Sequence, residues 1–254
     1  MKAFFWKPAA AWIRYHDLAG SEPALVFIHG LGASAAQAFV DVTRRPPLDG
    51  RRCVLPDLLG FGHSDHPTSF SYSIEDHAAS VAALLDAFGL QGVVLVGHSM
   101  GGAVAIVLAK ARPDLVSRLV LAEGHLDPEP GSVTGPVVAH SEADFTRHEH
   151  AALVHALVTQ GLASYAGAFQ VADPVGVHRS ATSLIAPRHP TFREMLAGLP
   201  VPRVFLLGGL STPNSDLAWL PRHGVPVRVV PGAGHDMMND RPDEFAAEVG
   251  ASLA

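Results

Sequence analysis

The chain has a single cysteine, Cys53, in 254 residues, so no internal disulfide can form and folding does not call for an oxidising compartment. Cys53 leads into the apolar run Val54-Leu55, the setting of a buried structural thiol. No apolar run is long enough to span a bilayer, and at the N-terminus Lys7-Pro8 interrupts a short apolar run, Phe4-Phe5-Trp6, so that a signal peptide is not expected. A cytoplasmic protein with no membrane span is therefore expected. Charge is also sparse, at 17% of residues with a net charge of -6, and the densest basic spots are only Arg44-Arg45 and Arg51-Arg52. Tracking phosphates takes a continuous basic surface, so a nucleic-acid partner is excluded. With 48% hydrophobic residues the chain is globular, and its length suffices for one domain with a large core.

What is there is an alternation of short β-like and helix-like runs, the pattern of a mostly parallel sheet covered on both faces. An opening pair of strands is expected at residues 3–6 and 11–16, followed by strands at 24–28, 53–55, 92–96, 119–122, 204–207 and 227–230. Helices are expected at 33–43, 74–88, 101–111 and 242–253, with Ser73 and Asp76 as a capping pair for the second and Arg112-Pro113 ending the third. Residues 124–199 break the rhythm. They open with Asp127-Pro128-Glu129-Pro130-Gly131 and continue in helical patches at 142–161, 165–171 and 177–185, which reads as a helical lid inserted between two sheet strands.

The chemistry centres on Gly97-His98-Ser99-Met100-Gly101, which follows the apolar run Val93–Val96 and precedes a helix-like stretch. Strand, G-x-S-x-G, helix is the context of a nucleophile elbow, in which the serine occupies a strained turn and the helix N-terminus faces developing negative charge. Ser99 is thus the candidate nucleophile. The strand-to-turn run Phe27-Ile28-His29-Gly30-Leu31-Gly32 offers the Leu31 amide to pair with that of Met100 as an oxyanion hole. In Gly232-Ala233-Gly234-His235-Asp236, a histidine in a glycine turn after the last strand can serve as general base toward Ser99. Asp57, in Asp57-Leu58-Leu59-Gly60-Phe61-Gly62-His63-Ser64, is expected to order loops rather than to react.

These motifs resemble the α/β-hydrolase superfamily, over nearly the whole chain from Leu25 to His235. The branch indicated has an HG turn, a D-x-x-G-x-G-x-S turn, a GHSMGG elbow and a late G-x-G-H. The resemblance implies an α/β-hydrolase fold: a mostly parallel eight-stranded sheet flanked by helices, with residues 1–123 and 200–254 as core and 124–199 as helical cap. It also implies a serine hydrolase. The chain departs from the family in one place. Many members carry the triad acid in a G-x-x-D turn after strand seven, where this sequence reads Gly208-Gly209-Leu210-Ser211-Thr212-Pro213. Serine cannot stabilise an imidazolium, so the acid must come from elsewhere or be absent. Glu123, at the tip of strand six, is the leading candidate, since some branches place the acid there. Asp216 and Asp127 are alternatives, and Asp236, next to His235, would normally point away.

The reaction expected is cleavage of a carboxylic ester or lactone through an acyl-enzyme on Ser99, with no cofactor and no metal. A C–C bond hydrolase, a perhydrolase, a lyase or a non-catalytic ligand-binding protein on the same fold are the alternatives. His29, His98, Phe145, Leu153, Leu157 and Tyr165 are candidate substrate-pocket residues. His148-Glu149-His150 with His155 does not fit H-E-x-x-H, because Ala152 and Val154 stand where a second histidine would be needed.

Overall fold

The computed structural model describes residues 1–211 and 216–253. Its sheet runs β1 (Lys2–Trp6), β2 (Ala11–Leu18), β3 (Ser21–Ile28), β4 (Arg51–Pro56), β5 (Val93–His98), β6 (Val116–Ala122), β7 (Arg203–Gly208) and β8 (Val227–Val230). The spatial order is β1-β2-β4-β3-β5-β6-β7-β8. The pairs β1–β2 and β2–β4 are antiparallel and all others parallel. Every strand expected from the sequence is present, with ends that differ by a few residues.

Burial explains which residues went where. In the central strands both faces are covered, so they are continuous apolar runs. Successive residues of β3 then alternate between two cores: Val26 and Ile28 on one side, Leu25 and Phe27 on the other. The first core is shared with α2 (Ile74–Ala87) and α3 (Met100–Ala111). The second is shared with α1 (Ala35–Phe39) and, near the C-terminus, α11 (Met237–Asp240) and α12 (Pro242–Ala251). On β2, one strand in from the edge, Ala11, Ile13 and Tyr15 are by contrast buried while Trp12 is exposed.

Helix α2 begins as its sequence requires: Ser73 Oγ accepts the Asp76 amide at 3.1 Å, and Glu75 and Asp76 complement the helix dipole. The helix expected at 33–43 is shorter than the sequence suggests and is followed by a separate 3-10 turn, Val42–Arg44. Thr43 Oγ1 donates to the Val40 carbonyl at 2.8 Å, a local bond that competes with helical continuation. A further short helix, α10 (Asp216–Arg222), which the sequence did not announce, lies between β7 and β8.

Between β6 and β7 every regular element is helical: α4 (Thr134–Val138), α5 (Glu142–Asp144), α6 (His150–Thr159), α7 (Ala163–Val171), α8 (Pro174–Ile185) and α9 (Phe192–Ala197), joined by loops. A π-helical turn, Phe145–Glu149, joins α5 to α6. Helix α8 starts earlier than its apolar spacing indicates, because Asp173 caps the Val175 and Gly176 amides and Pro174 takes the first helical position. Helices α4 and α9 were not anticipated, although α9 carries a full capping box, Thr191 with Glu194. No helix among the described residues is long and apolar enough to cross a membrane.

Candidate active site

Ser99 lies between β5 and α3 at φ 52°, ψ -119°, a conformation that costs on the order of 1–3 kcal/mol and persists only where surroundings enforce it. The enforcement is visible. The Ser99 amide donates to the Ala122 carbonyl at 3.1 Å, and the Ser99 carbonyl accepts from Gly102 at 2.9 Å and His125 at 3.0 Å. The turn can be this tight because its neighbours lack side chains. A Cβ on Gly97 would stand 2.8 Å from the Gly102 Cα, and one on Gly101 would collide with the Ile28 carbonyl. Helix α3 therefore presses its N-terminus, starting at Met100, against the serine.

Facing this elbow is the turn after β3. The Ala33 amide closes it on the Gly30 carbonyl at 3.2 Å, and Gly32 has the positive φ of 70° that the third position of a type II turn needs. A Cβ on Gly30 would lie 3.3 Å from Ser99 Cβ, which puts this turn beside the nucleophile candidate. His29 supports the same turn. The Leu58 amide donates to its Nε2 at 3.0 Å, so Nδ1 carries the proton and donates to the Gly30 carbonyl at 2.8 Å. That carbonyl belongs to the peptide unit whose N–H is Leu31's. Burial holds the His29 pKa below its ordinary value, and the ring is neutral. His29 was a candidate pocket residue. Fully enclosed and with both nitrogens engaged, it instead orders the turn.

The other half of the site is made of side chains. His235 Nδ1 donates to Glu123 Oε2 at 2.6 Å, which leaves Nε2 as the ring's proton acceptor. Glu123 itself follows β6 in a left-handed conformation (φ 43°) and also accepts the Gly208 amide at 2.9 Å and the Ser211 side chain. Burial alone would raise the Glu123 carboxyl, but the hydrogen bonds from His235, Ser211 and Gly208 outweigh it and hold the pKa below the usual value. The serine standing at the strand-seven acid position thus braces the glutamate that faces His235. Thr212 and Pro213 of the same turn lie outside the described residues. His98, the second residue of the elbow motif, donates from Nε2 to the His235 carbonyl at 3.0 Å, with the two rings 4.8 Å apart. Burial and the neighbouring His235 push its pKa down to about 3, so it stays neutral.

The alternative acids have other partners. Arg193 on α9 reaches both Asp127 and Asp216, the latter at 2.6 Å, tying the helices between β6 and β7 to α10. Asp236 accepts from Asn239 at 2.9 Å. Asp57 accepts the Ala35 and His63 amides, each at 2.8 Å, and so fixes the two loops it was expected to order.

Of the candidate pocket residues on the helices between β6 and β7, Phe145 is fully buried against His150 and His178 and presents no surface to a ligand. Leu153 and Leu157 line a 310 Å³ cavity between α4 and α6, with Val133, Pro136, Ala152 and Ala156 among its other walls. Tyr165 on α7 donates its hydroxyl to the Leu31 carbonyl at 2.6 Å. This contact and those of His98 and Ser211 were not foreseen. They join residues far apart in sequence and carry no local signature.

A sequence model of the α/β-hydrolase fold matches residues 23–175. The chain is 32% identical to a mouse (Mus musculus) sn-1-specific diacylglycerol lipase, over 91% of this chain and 81% of that protein. It is 38% identical to a Pseudomonas putida 2-hydroxy-6-oxo-2,4-heptadienoate hydrolase, over 42% of this chain and 38% of that one. Among solved structures, a Thermogutta terrifontis esterase superposes with TM-score 0.81 at 21% identity, covering 96% of this chain and 93% of the esterase. The enol-lactonase of Burkholderia xenovorans LB400 gives 0.78 at 22% identity, covering 96% of each chain.

Proposed function

Because the chain belongs to the α/β-hydrolase fold family, we propose that it is a serine hydrolase that cleaves a carboxylic ester or lactone through an acyl-enzyme on Ser99. The observation that carries this reading is the 2.6 Å bond between His235 and Glu123 in a chain whose elbow serine is held in a strained turn. His235 Nε2 takes the Ser99 proton as Oγ attacks the carbonyl, and later gives it to the departing alcohol. The Leu31 and Met100 amides receive the oxyanion. Glu123 keeps His235 in the right tautomer and stabilises its charged form. Water then enters the same machinery and releases the acid.

In this reading helices α4–α9 form a cap over the site, and the apolar composition of these helices favours a small-molecule substrate of moderate hydrophobicity. The single buried thiol is compatible with a cytoplasmic setting. The match to the Pseudomonas putida hydrolase makes C–C bond cleavage the second reading, on the same residues. Hydrolysis rates on aryl esters of rising acyl length, several lactones and a vinylogous 1,5-diketone, each against Ser99→Ala, separate the two. Ester or lactone turnover abolished in the variant is the expected result. Activity that survives in Ser99→Ala would remove the mechanism, and turnover of the diketone alone would replace the substrate class.

A further inference from the structure

The turn beside Ser99 is gripped from two directions. From the core, His29 holds the Gly30 carbonyl, the upstream end of the Leu31 amide. From helix α7, Tyr165 holds the Leu31 carbonyl, 134 residues away in sequence. One helical turn beyond Tyr165, the Phe169 ring fills the space that a side chain on Gly32 would need. The two aromatic rings of α7 meet edge-on with centroids 5.8 Å apart, as an i, i+4 pair on one helix face. The same helix is fastened to α6, where His150 Nε2 donates to the Phe169 carbonyl at 3.0 Å and the His150 ring stacks on that of Phe169. Burial pushes the Tyr165 phenol's pKa up, so it remains a hydrogen-bond donor.

We propose that Tyr165 is a positioning residue for the oxyanion site: its hydroxyl fixes the downstream end of Leu31 so that the Leu31 N–H is aimed before negative charge develops. Leu31 is 5% exposed, so little water is at hand to replace the phenol on its carbonyl. An amide donor stabilises a transition state only if its direction is set in advance, and removing such a donor outright lowers rates about 10²–10³-fold. A donor freed at one end keeps part of that effect. The inference rests on the acyl-enzyme reading and adds that the Tyr165 hydroxyl, rather than the packing of α7 as a whole, sets the direction of the Leu31 amide.

The test uses 4-nitrophenyl butyrate as substrate, butylboronic acid as a probe that becomes tetrahedral on Ser99, and butyrate as a ground-state probe. Tyr165→Phe keeps the ring and its packing and removes only the hydroxyl. Its kcat is expected to fall about tenfold with KM within about twofold. Affinity for the boronate should fall by the same factor and affinity for butyrate should not change. His150→Phe loosens α7 without touching the Leu31 turn, and should lower the unfolding temperature while leaving the boronate-to-butyrate ratio intact. The proposal is overturned if Tyr165→Phe keeps both kcat and boronate affinity, if it loses boronate and butyrate equally, or if His150→Phe reproduces the selective loss. Wild-type protein that a fluorophosphonate does not label at Ser99 would remove the hydrolase reading and this proposal together. Labelling with an unimpaired Tyr165→Phe would remove this proposal alone.

Discussion

On one side of the site the geometry is main chain: Ser99 is fixed by bonds from its own amide and carbonyl to Ala122, Gly102 and His125, and the turn after β3 is closed by Ala33 and propped by His29. On the other side it is side chain: Glu123 and His235 meet across 112 residues of sequence, with the His235 side chain 55% exposed. The difference shows which parts of such a site can move in evolution. A backbone-built half depends on close approaches that a single methyl group would block, as at Gly97 and Gly101. A half built from side chains needs only that some carboxylate reach the histidine. Here it comes from the tip of β6, and the strand-seven position keeps a serine that hydrogen-bonds to it.

The two halves should fail differently. Loss of the nucleophile in Ser99→Ala removes covalent catalysis and is expected to lower kcat by about 10⁴-fold or more, leaving whatever the oxyanion donors and binding supply. Labelling with a fluorophosphonate should vanish in parallel, and residual labelling would locate the nucleophile elsewhere. Glu123→Gln keeps the shape but loses the charge behind His235. Its kcat is expected to fall about 10³-fold, with normal unfolding behaviour and slow but detectable labelling of Ser99. Near-normal turnover in this variant would show that His235 works without the carboxylate.

The unequal legibility of the sequence follows the same division. The strands could be read because buried parallel strands are continuous apolar runs between turn residues, and the elbow because Gly97, Ser99 and Gly101 report a backbone requirement locally. Glu123 was reached through the serine at position 211 together with the resemblance to family branches that carry the acid after strand six. The bond that ties Ser211 to it is a tertiary contact without a sequence signature. The helices between β6 and β7 were legible as helical but not in detail: α9 hides behind its short length, and α5 and α6 are joined through a π-helical turn where the pattern suggested one helix. Tyr165 and His29 show the limit most plainly, since both looked like pocket residues and both hydrogen-bond to the backbone of the turn after β3.

If the acid is the interchangeable member, it should be possible to move it. Leu210 and Gly209 are pinned to the Ala233 and Val230 carbonyls at 2.8 and 2.9 Å, so position 211 stays beside the turn that carries His235. Placing aspartate there in a protein that lacks the glutamate, Glu123→Ala with Ser211→Asp, is expected to recover about 10- to 100-fold over Glu123→Ala alone, read as kcat on one aryl ester. No recovery would mean that the side-chain half is as fixed as the main-chain half, and the contrast between them would fail.

The pH profile separates the halves with the smallest but most specific effect. His98, on the elbow side, has a pKa near 3 and is neutral over the working range, and Glu123 is already ionised because its pKa lies below the usual carboxylate value. The carboxylate behind His235 therefore takes up a proton only below the usual carboxylate range. Ser211→Ala removes one of the hydrogen bonds that hold its pKa down, so the Glu123 carboxyl should protonate at higher pH in the variant. The stability such an ionised group contributes is present above its unfolded-state pKa and is lost as pH falls through the folded-state value, so the acid-side fall in unfolding temperature should begin at higher pH in Ser211→Ala. An acid side that stayed in place would mean that Ser211 touches Glu123 without acting on its charge.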